Sequence, residues 1–266
     1  MTSTQDPSRS DPAPPAWDDR ELAADPHANQ DKATKVRSMF AAIAGSYDLN
    51  NRVHSLWRDQ AWRRLAVRTA DVRAGDVVAD IACGTGDLTE AFAKSPAERV
   101  LGIDYTHEML DLAEQKRARL DRPRHDKITY IEGDAQRLPL GAESVDVLSI
   151  AFGIRNVQDP ARALREFWRV LRPGGRLIIL EFGTPSLPPL RWFNDFYCGW
   201  VMPRTATLIS GDRSGAYRYL PKSVGSFWER DRMLSELESA GFTDRAARSL
   251  TLGICWCYRA VRPEPS

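Results

Sequence analysis

The sequence predicts an α/β fold with a doubly wound, mostly parallel sheet that carries helices on both faces. Short apolar runs that indicate buried strands alternate with segments of helical periodicity. The first run, 76–82, leads into a glycine-containing turn, and the second, 99–104, ends on an aspartate. Ligands of such sheets bind beyond the carboxyl ends of the strands, so the residues at those ends are the candidates for function.

Each element follows from a local pattern. The predicted strands are 76–82, 99–104, 128–131, 145–152, 176–181, 244–249 and 254–261, which make a seven-stranded sheet. Helical spacing and capping residues predict the helices that alternate with them at 87–94, 106–120, 160–171 and 226–240. Two further helices precede the sheet, one carrying the apolar face of Val36, Met39 and Ile43, the other covering 57–70.

Composition divides the chain into a tail and one domain. Residues 1–31 are rich in Pro, Asp, Ser and Ala and have no apolar run, so we expect a disordered tail. The folded domain is predicted to span 32–262. Within it, a helical cap is expected at 32–71 and an aromatic helical insertion at 187–225.

Charge and cysteine usage exclude several classes of function. Lys and Arg total 37 against 36 Asp and Glu, a balance that gives no overall field for a nucleic-acid partner. The four cysteines and four histidines show no metal-ligand spacing, so we expect no bound metal. Without a signal peptide or a long apolar run, a cytoplasmic protein is predicted, with peripheral contact at the inner face of a membrane left open.

The turn after the first strand favours a nucleoside ligand without phosphates. Gly84 and Gly86 allow a tight turn, but Thr89 occupies the position of the third glycine of the NAD fingerprint. Asp104 ends the second strand, where a carboxylate can accept both hydroxyls of a ribose. S-adenosylmethionine (SAM), with S-adenosylhomocysteine as product, fits these two observations.

The end of the third strand adds a second pair of candidates. Asp134 could accept a hydrogen bond from an adenine amino group, and Ala135 could lie against the ring. The alternative is that Asp134 only caps a turn. We favour the cofactor role because three strand ends point to the same ligand.

Several motifs together resemble the ubiquinone/menaquinone biosynthesis C-methyltransferases over nearly all of residues 34–260. The matching segments are Val36–Phe40, Tyr47–Asp48, Gly84–Thr89, Phe152–Val157, Leu171–Arg176, Leu180–Phe182 and Tyr217–Leu220. The resemblance implies a class I SAM-dependent methyltransferase fold. A serine of the family's pattern is replaced by Ala151, which is therefore left out of the predicted site.

The resemblance also implies a reaction: C-methylation of a prenylated quinol, with demethylmenaquinol preferred as the acceptor. A 2-polyprenyl-6-methoxy-benzoquinol and a non-catalytic SAM-binding scaffold remain alternatives, and a homodimer is left open. The predicted cofactor-binding residues are Asp80, Gly84, Thr85, Gly86, Asp104, Asp134 and Ala135.

Three residues are predicted to serve the acceptor ring. Methylation at carbon needs an electron-rich ring, which an ionised phenolic hydroxyl supplies, together with a proton acceptor. Arg155 is expected to hold the phenolate and Asn156 to orient it, while Tyr47 closes the pocket or relays the proton. The alternatives are a surface ion pair between Arg155 and Asp159, and simple lid packing for Tyr47.

An aromatic stripe between residues 192 and 200 has a helical repeat. We favour a place in the core over a wall for a prenyl tail or a membrane-facing patch.

Overall fold

The computed structural model describes residues 16–23, 25–210 and 214–265. In this part of the chain, seven strands form one sheet in the order β3-β2-β1-β4-β5-β7-β6. They are β1 Val77–Ile81, β2 Arg99–Asp104, β3 Ile128–Glu132, β4 Val145–Ala151, β5 Leu171–Phe182, β6 Thr243–Leu250 and β7 Cys255–Val261. The first five pair in parallel, and β7 runs antiparallel to both β5 and β6.

Helices precede, connect and cover these strands. Before the sheet lie α1 Asp19–Ala23, α2 Lys32–His54 and α3 Arg58–Thr69. The connections within the parallel part contain α4 Asp87–Ala93, α5 His107–Arg117, α6 Arg122–His125 and α7 Pro160–Val170. Between β5 and β6 lie α8 Pro188–Phe196, α9 Met202–Ser210, α10 Ala216–Gly225 and α11 Arg230–Ser239.

The predicted seven-stranded sheet is confirmed, with shifts of five and four residues at the starts of two elements. β5 begins at Leu171 instead of residue 176, because Leu171 already pairs with Val145 before a register shift. The last helix begins at Arg230, four residues later than predicted. Gly241 then follows it with a φ of +93°, as expected of a glycine just past a helix end.

The sheet is buried on both faces. On one face Phe167 of α7 and Leu237 of α11 belong to a large apolar cluster. Trp62 of α3 and Phe92 of α4 belong to the cluster on the other face. Burying one such large side chain contributes roughly 1.5–3 kcal/mol, so the two layers hold the strand ends firmly in place.

The predicted boundary at residue 31 is wrong for the later part of the tail. Trp17 has none of its surface exposed and stacks on Tyr219 with ring centroids 4.8 Å apart, and Leu22 is also buried. Two large apolar side chains are enough to dock this segment, although the average composition of the tail is polar. Residues 1–15 lie outside the described residues.

The preference for a core position of the aromatic stripe is also wrong. α8 continues through a π-helical turn, Tyr197–Val201, into α9. Met202 and Ala206 face inward, and α9 packs on α2, whereas Trp192 is 71% exposed and Phe193, Phe196 and Trp200 are exposed too. No helix in the described residues is long and apolar enough to cross a bilayer.

Candidate functional site

A cavity lies at the carboxyl ends of the central strands. It encloses about 790 Å³ of empty space, including its open mouth. Its floor comes from the residues that follow β1, β2, β3 and β4, and α2 covers it with side chains that include Phe40 and Tyr47. Strand ends that are far apart in the sequence therefore meet at this one edge, as the fold class predicts.

Asp104 at the end of β2 lies in the wall of this cavity. One carboxylate oxygen accepts a hydrogen bond from the Gly84 backbone amide and the other accepts one from the Thr106 amide, each at 2.8 Å. Burial raises the pKa of Asp104, while the amide hydrogen bonds act in the opposite direction. Each oxygen can accept a further hydrogen bond, which matches the two hydroxyls of a ribose.

The two glycines of the turn after β1 have different tasks. Gly84, with a φ of +56°, lines the cavity, and a Cβ there would lie 3.9 Å from the Tyr47 ring. Gly86 does not line the cavity, and a Cβ there would overlap the Tyr130 hydroxyl at 2.1 Å. Gly86 thus makes room for Tyr130 in the packing beneath the turn.

Thr85 and Asp80 are not among the residues that line the cavity. The Thr85 hydroxyl donates to Asp48 of α2 at 2.6 Å. Asp80 is buried in β1 and accepts hydrogen bonds from Thr89 at 2.7 Å and Ser149 at 2.8 Å. Burial raises the pKa of Asp80 to about 6. The two side chains hold the turn and the strands around the cavity without lining it.

Asp134 and Ala135 both line the cavity after β3. The Asp134 carboxylate accepts hydrogen bonds from the backbone amide of Gln136 at 2.9 Å and from its side-chain amide at 3.1 Å. Asp134 therefore caps a turn and borders the cavity at the same time, so the two interpretations of this residue are compatible.

The turn after β4 separates Arg155 from Asn156. Asn156 lines the cavity, whereas Arg155 is 4% exposed and is not among the lining residues. The Arg155 guanidinium donates to Glu181 at 2.6 Å and to the carbonyl of Phe152 at 2.7 Å. The surface ion pair with Asp159 is absent, because β5 places the buried Glu181 beside the turn while Asp159 caps α7.

Neighbouring residues of α2 point to different sides of the cap. Tyr47 lines the cavity and meets Phe40 edge to face at 5.8 Å. Burial raises the pKa of the Tyr47 hydroxyl, so it is a neutral hydrogen-bonding group at neutral pH. Asp48 instead binds Thr85 and the Lys116 ammonium, the latter at 3.0 Å.

Two strained residues at the cavity were missed from the sequence. Ala82 after β1 and Phe152 after β4 have φ values of +50° and +59°, which residues other than glycine rarely adopt. Both residues line the cavity. A Cβ on Gly153 would lie 2.6 Å from that of Ala82, so the two turns are in close contact. In the sequence, only Gly153 could have indicated this close contact between the two turns.

The fold is shared with solved structures that include a SAM-dependent methyltransferase. A SAM-dependent methyltransferase from Aquifex aeolicus aligns with 75% of this chain and 89% of its own, with a TM-score of 0.53 and 18% identity. The [4+2]-cyclase SpnF aligns with 77% of this chain and 81% of its own, with a TM-score of 0.59 and 17% identity. Sheet order and cavity position thus define a class I methyltransferase fold.

Sequence similarity narrows this class to a family. The sequence model of the ubiE/COQ5 methyltransferase family matches residues 28–262, and the chain belongs to that family. A demethylmenaquinone methyltransferase of Deinococcus radiodurans is 43% identical over 85% of this chain and 91% of its own. A ubiquinone/menaquinone biosynthesis C-methyltransferase of Syntrophotalea carbinolica is 41% identical over 86% of this chain and 95% of its own. The resemblance described from the motifs is thereby confirmed.

Proposed function

We propose that this protein transfers a methyl group from SAM to a ring carbon of a prenylated quinol, with demethylmenaquinol as the preferred acceptor. The observation that carries the proposal is one cavity with Asp104 in its wall and with Tyr47 and Asn156 also lining it. The relative from Deinococcus radiodurans supports the menaquinone precursor. The relative from Syntrophotalea carbinolica keeps the methoxy-benzoquinol as a second acceptor.

The cofactor side is proposed to consist of Gly84, Asp104, Asp134 and Ala135, all of which line the cavity. SAM supplies an electrophilic methyl group on a sulfonium. Asp104 would accept hydrogen bonds from the two ribose hydroxyls. It would use the lone pairs that its hydrogen bonds from the Gly84 and Thr106 amides leave free. Thr85, Gly86 and Asp80 would act indirectly, by holding the turn and strands that shape this side.

The acceptor side is proposed to consist of Asn156 and Tyr47. The amide of Asn156 can orient the quinol oxygen, and the neutral Tyr47 hydroxyl can relay the proton that leaves it. Arg155 is assigned a positioning role, because Glu181 neutralises its charge away from the cavity wall. This positioning role replaces the predicted one, in which Arg155 contacts the phenolate directly.

We also propose that the protein meets its lipid acceptor at a membrane surface. The aromatic face is defined by Trp192, Phe193, Phe196 and Trp200, all of which are exposed. The rings of Trp192, Phe196 and Trp200 stack one on the next. Exposed apolar patches of this kind mark membrane or protein contacts. A membrane is favoured because the proposed substrate has an apolar tail.

Basic residues flank the aromatic face. The Arg204 guanidinium lies 4.4 Å from the centre of the Trp200 ring. Arg191 is exposed, and it forms a long ion pair with Asp195 at 4.0 Å. Cations beside an apolar face suit anionic lipid head groups.

The aromatic face also lies close to the proposed site. His54, at the end of α2, bonds the Tyr197 hydroxyl at 3.0 Å, and Tyr47 is two turns, about 10 Å, further back on the same helix. Leu56 and Trp57 follow His54 with positive φ and exposed side chains, which adds apolar surface at this end of α2. An anionic membrane surface is therefore the proposed partner.

Incubation of the purified chain with SAM and each reduced quinone, followed by mass analysis of the ring, tests the reaction. We expect one added methyl group on demethylmenaquinol and less product from the methoxy-benzoquinol. Asp104→Ala should weaken SAM binding at least tenfold, because hydrogen bonds to a charged group contribute about 1.5–3 kcal/mol each. Calorimetric binding of SAM with no methylation of either quinol would contradict the proposed acceptor.

A further inference from the structure

Two side chains of α10 support the two residues at the end of the turn after β4. The Tyr219 hydroxyl donates to the side-chain oxygen of Asn156 at 3.0 Å. One helical turn later, the Ser223 hydroxyl accepts a hydrogen bond from Arg155 Nε at 3.4 Å. The Asn156 amide nitrogen donates in turn to the carbonyl of Phe152 at 3.3 Å. The side chain that lines the cavity is thus held at both ends of its amide.

The N-terminal segment 16–28, which is described at 16–23 and 25–28, contacts the same two residues of α10. Trp17 stacks on the Tyr219 ring with an interplanar angle of 21°. The His27 Nε2 atom bonds the Ser223 carbonyl at 2.8 Å. Each of the two supports beneath the turn therefore has its own contact with this segment.

The segment 16–28 is itself fastened at its start. The Ala16 amide donates to the Ser214 carbonyl at 3.0 Å. Lys35 of α2 donates to the Ala16 carbonyl at 3.0 Å and pairs with Glu21 at 2.9 Å. Trp17 is thereby held between α2 and α10, with no exposed surface.

We infer that the segment 16–28 is a buttress that positions Asn156 through Trp17 and Tyr219. The inference rests on the proposed function, in which Asn156 orients the quinol. A stacked ring restricts the Tyr219 side chain, and its hydroxyl then fixes the direction of the Asn156 amide. Small errors in orienting a reacting group cost large factors in rate, so a residue far along the chain can affect the chemical step.

The test compares Trp17→Ala, Trp17→Phe and Tyr219→Phe in the full chain. Tyr219→Phe keeps the ring stack and removes only the hydroxyl, so we expect single-turnover methylation of a short-tailed quinol to slow about 3- to 10-fold. Trp17→Ala should slow it at least as much, and Trp17→Phe should restore most of the rate. SAM affinity should stay within about twofold in all three, because the hydrogen bonds that hold Asp104 join it to Gly84 and Thr106 and involve neither ring.

A purely structural role must be separated from positioning. Met233→Ala is the control, because Met233 of α11 is buried in the cluster on one sheet face, whereas Trp17 and Tyr219 belong to a different apolar cluster. It should lower Tm without slowing methylation measured well below that Tm. Amide hydrogen exchange of residues 152–157 gives a second measure that does not depend on activity. It should be faster in Trp17→Ala and unchanged in Met233→Ala.

Unchanged exchange at 152–157 together with a normal rate in Trp17→Ala would overturn the buttress. An equal loss of rate in Met233→Ala would also overturn it, because general destabilisation would then explain the effect. Failure of the wild-type chain to methylate any quinol would instead reject the proposed function, and the exchange experiment would still decide whether the segment holds the turn.

Discussion

Thr85 and Asp48 are joined by a 2.6 Å hydrogen bond that ties the glycine-containing turn to the helix covering the cavity. Asp48 also pairs with Lys116, which contacts Asp87 at the start of α4. This side-chain network connects the cap to two elements of the sheet domain. It fastens the cap to the turn after β1 beside the cavity, together with Arg52 and Gln60, which also bind Asp87.

Removal of Asp48 should loosen the cap. Asp48→Ala deletes the acceptor of Thr85 and one of the two carboxylates that hold Lys116. Since these charge-assisted contacts are partly exposed to solvent, we expect SAM to dissociate about 5- to 20-fold faster, below the full value of two such bonds. Stopped-flow displacement of SAM measures this rate. Asp111→Ala, which removes an exposed carboxylate from α5, is the matched control, and an equal effect there would contradict the prediction.

Loss of Arg155 should destabilise the protein as well as slow turnover. Arg155→Ala leaves Glu181 buried without its partner, and breaking a buried pair costs about 3–5 kcal/mol. The double variant Arg155→Met/Glu181→Met should recover part of that loss. Urea unfolding measures the free energies. Arg73→Ala, at an exposed pair, should change the free energy of unfolding by less than about 1 kcal/mol. A single variant as stable as the wild type would show that the pair is not formed.

Stability should depend on pH through Asp80. Its pKa is raised by burial from 3.8 to about 6, so the native state binds more protons than the unfolded chain between these values. Stability from this group is therefore fully present below pH 3.8 and is lost as pH rises through 6. Asp80→Asn should lack this loss, so its free energy of unfolding relative to wild type should rise from pH 4 to pH 7 by up to about 3 kcal/mol. Urea unfolding at several pH values checks the slope, and a pH-independent difference would contradict it.

The aromatic face should bind anionic vesicles. We expect the wild-type chain to float with vesicles that contain phosphatidylglycerol and to bind neutral phosphatidylcholine vesicles less. Trp192→Glu/Phe196→Glu should reduce binding at least tenfold, because burying either ring contributes roughly 1.5–3 kcal/mol. Methylation of a short-tailed quinol should be retained.

Ser235→Glu/Ser239→Glu is the control for the vesicle experiment. It places the same charges on exposed positions of α11, which packs on α7 and β6, and it should bind vesicles as the wild type does. A lipid-free dimer that the tryptophan–phenylalanine double variant abolishes would instead assign the aromatic face to contact between two copies.

The sequence alone determined the sheet and the position of its cavity. Apolar runs, helical spacing and the glycines at one strand end are local properties, and parallel strands bring their carboxyl ends together wherever this alternation occurs. For that reason Gly84, Asp104 and Asp134 could be placed at one site before any contact was known.

Only the tertiary structure decided which way individual side chains point. Arg155 and Asn156 are neighbours in one motif, yet one pairs with Glu181 below the turn and the other lines the cavity. Trp17 lies in a polar tail and is buried, whereas Trp192 lies in an aromatic stripe and is exposed. Burial depends on whether a partner surface is within reach, and that surface is supplied by residues distant in the sequence, here Tyr219 for Trp17.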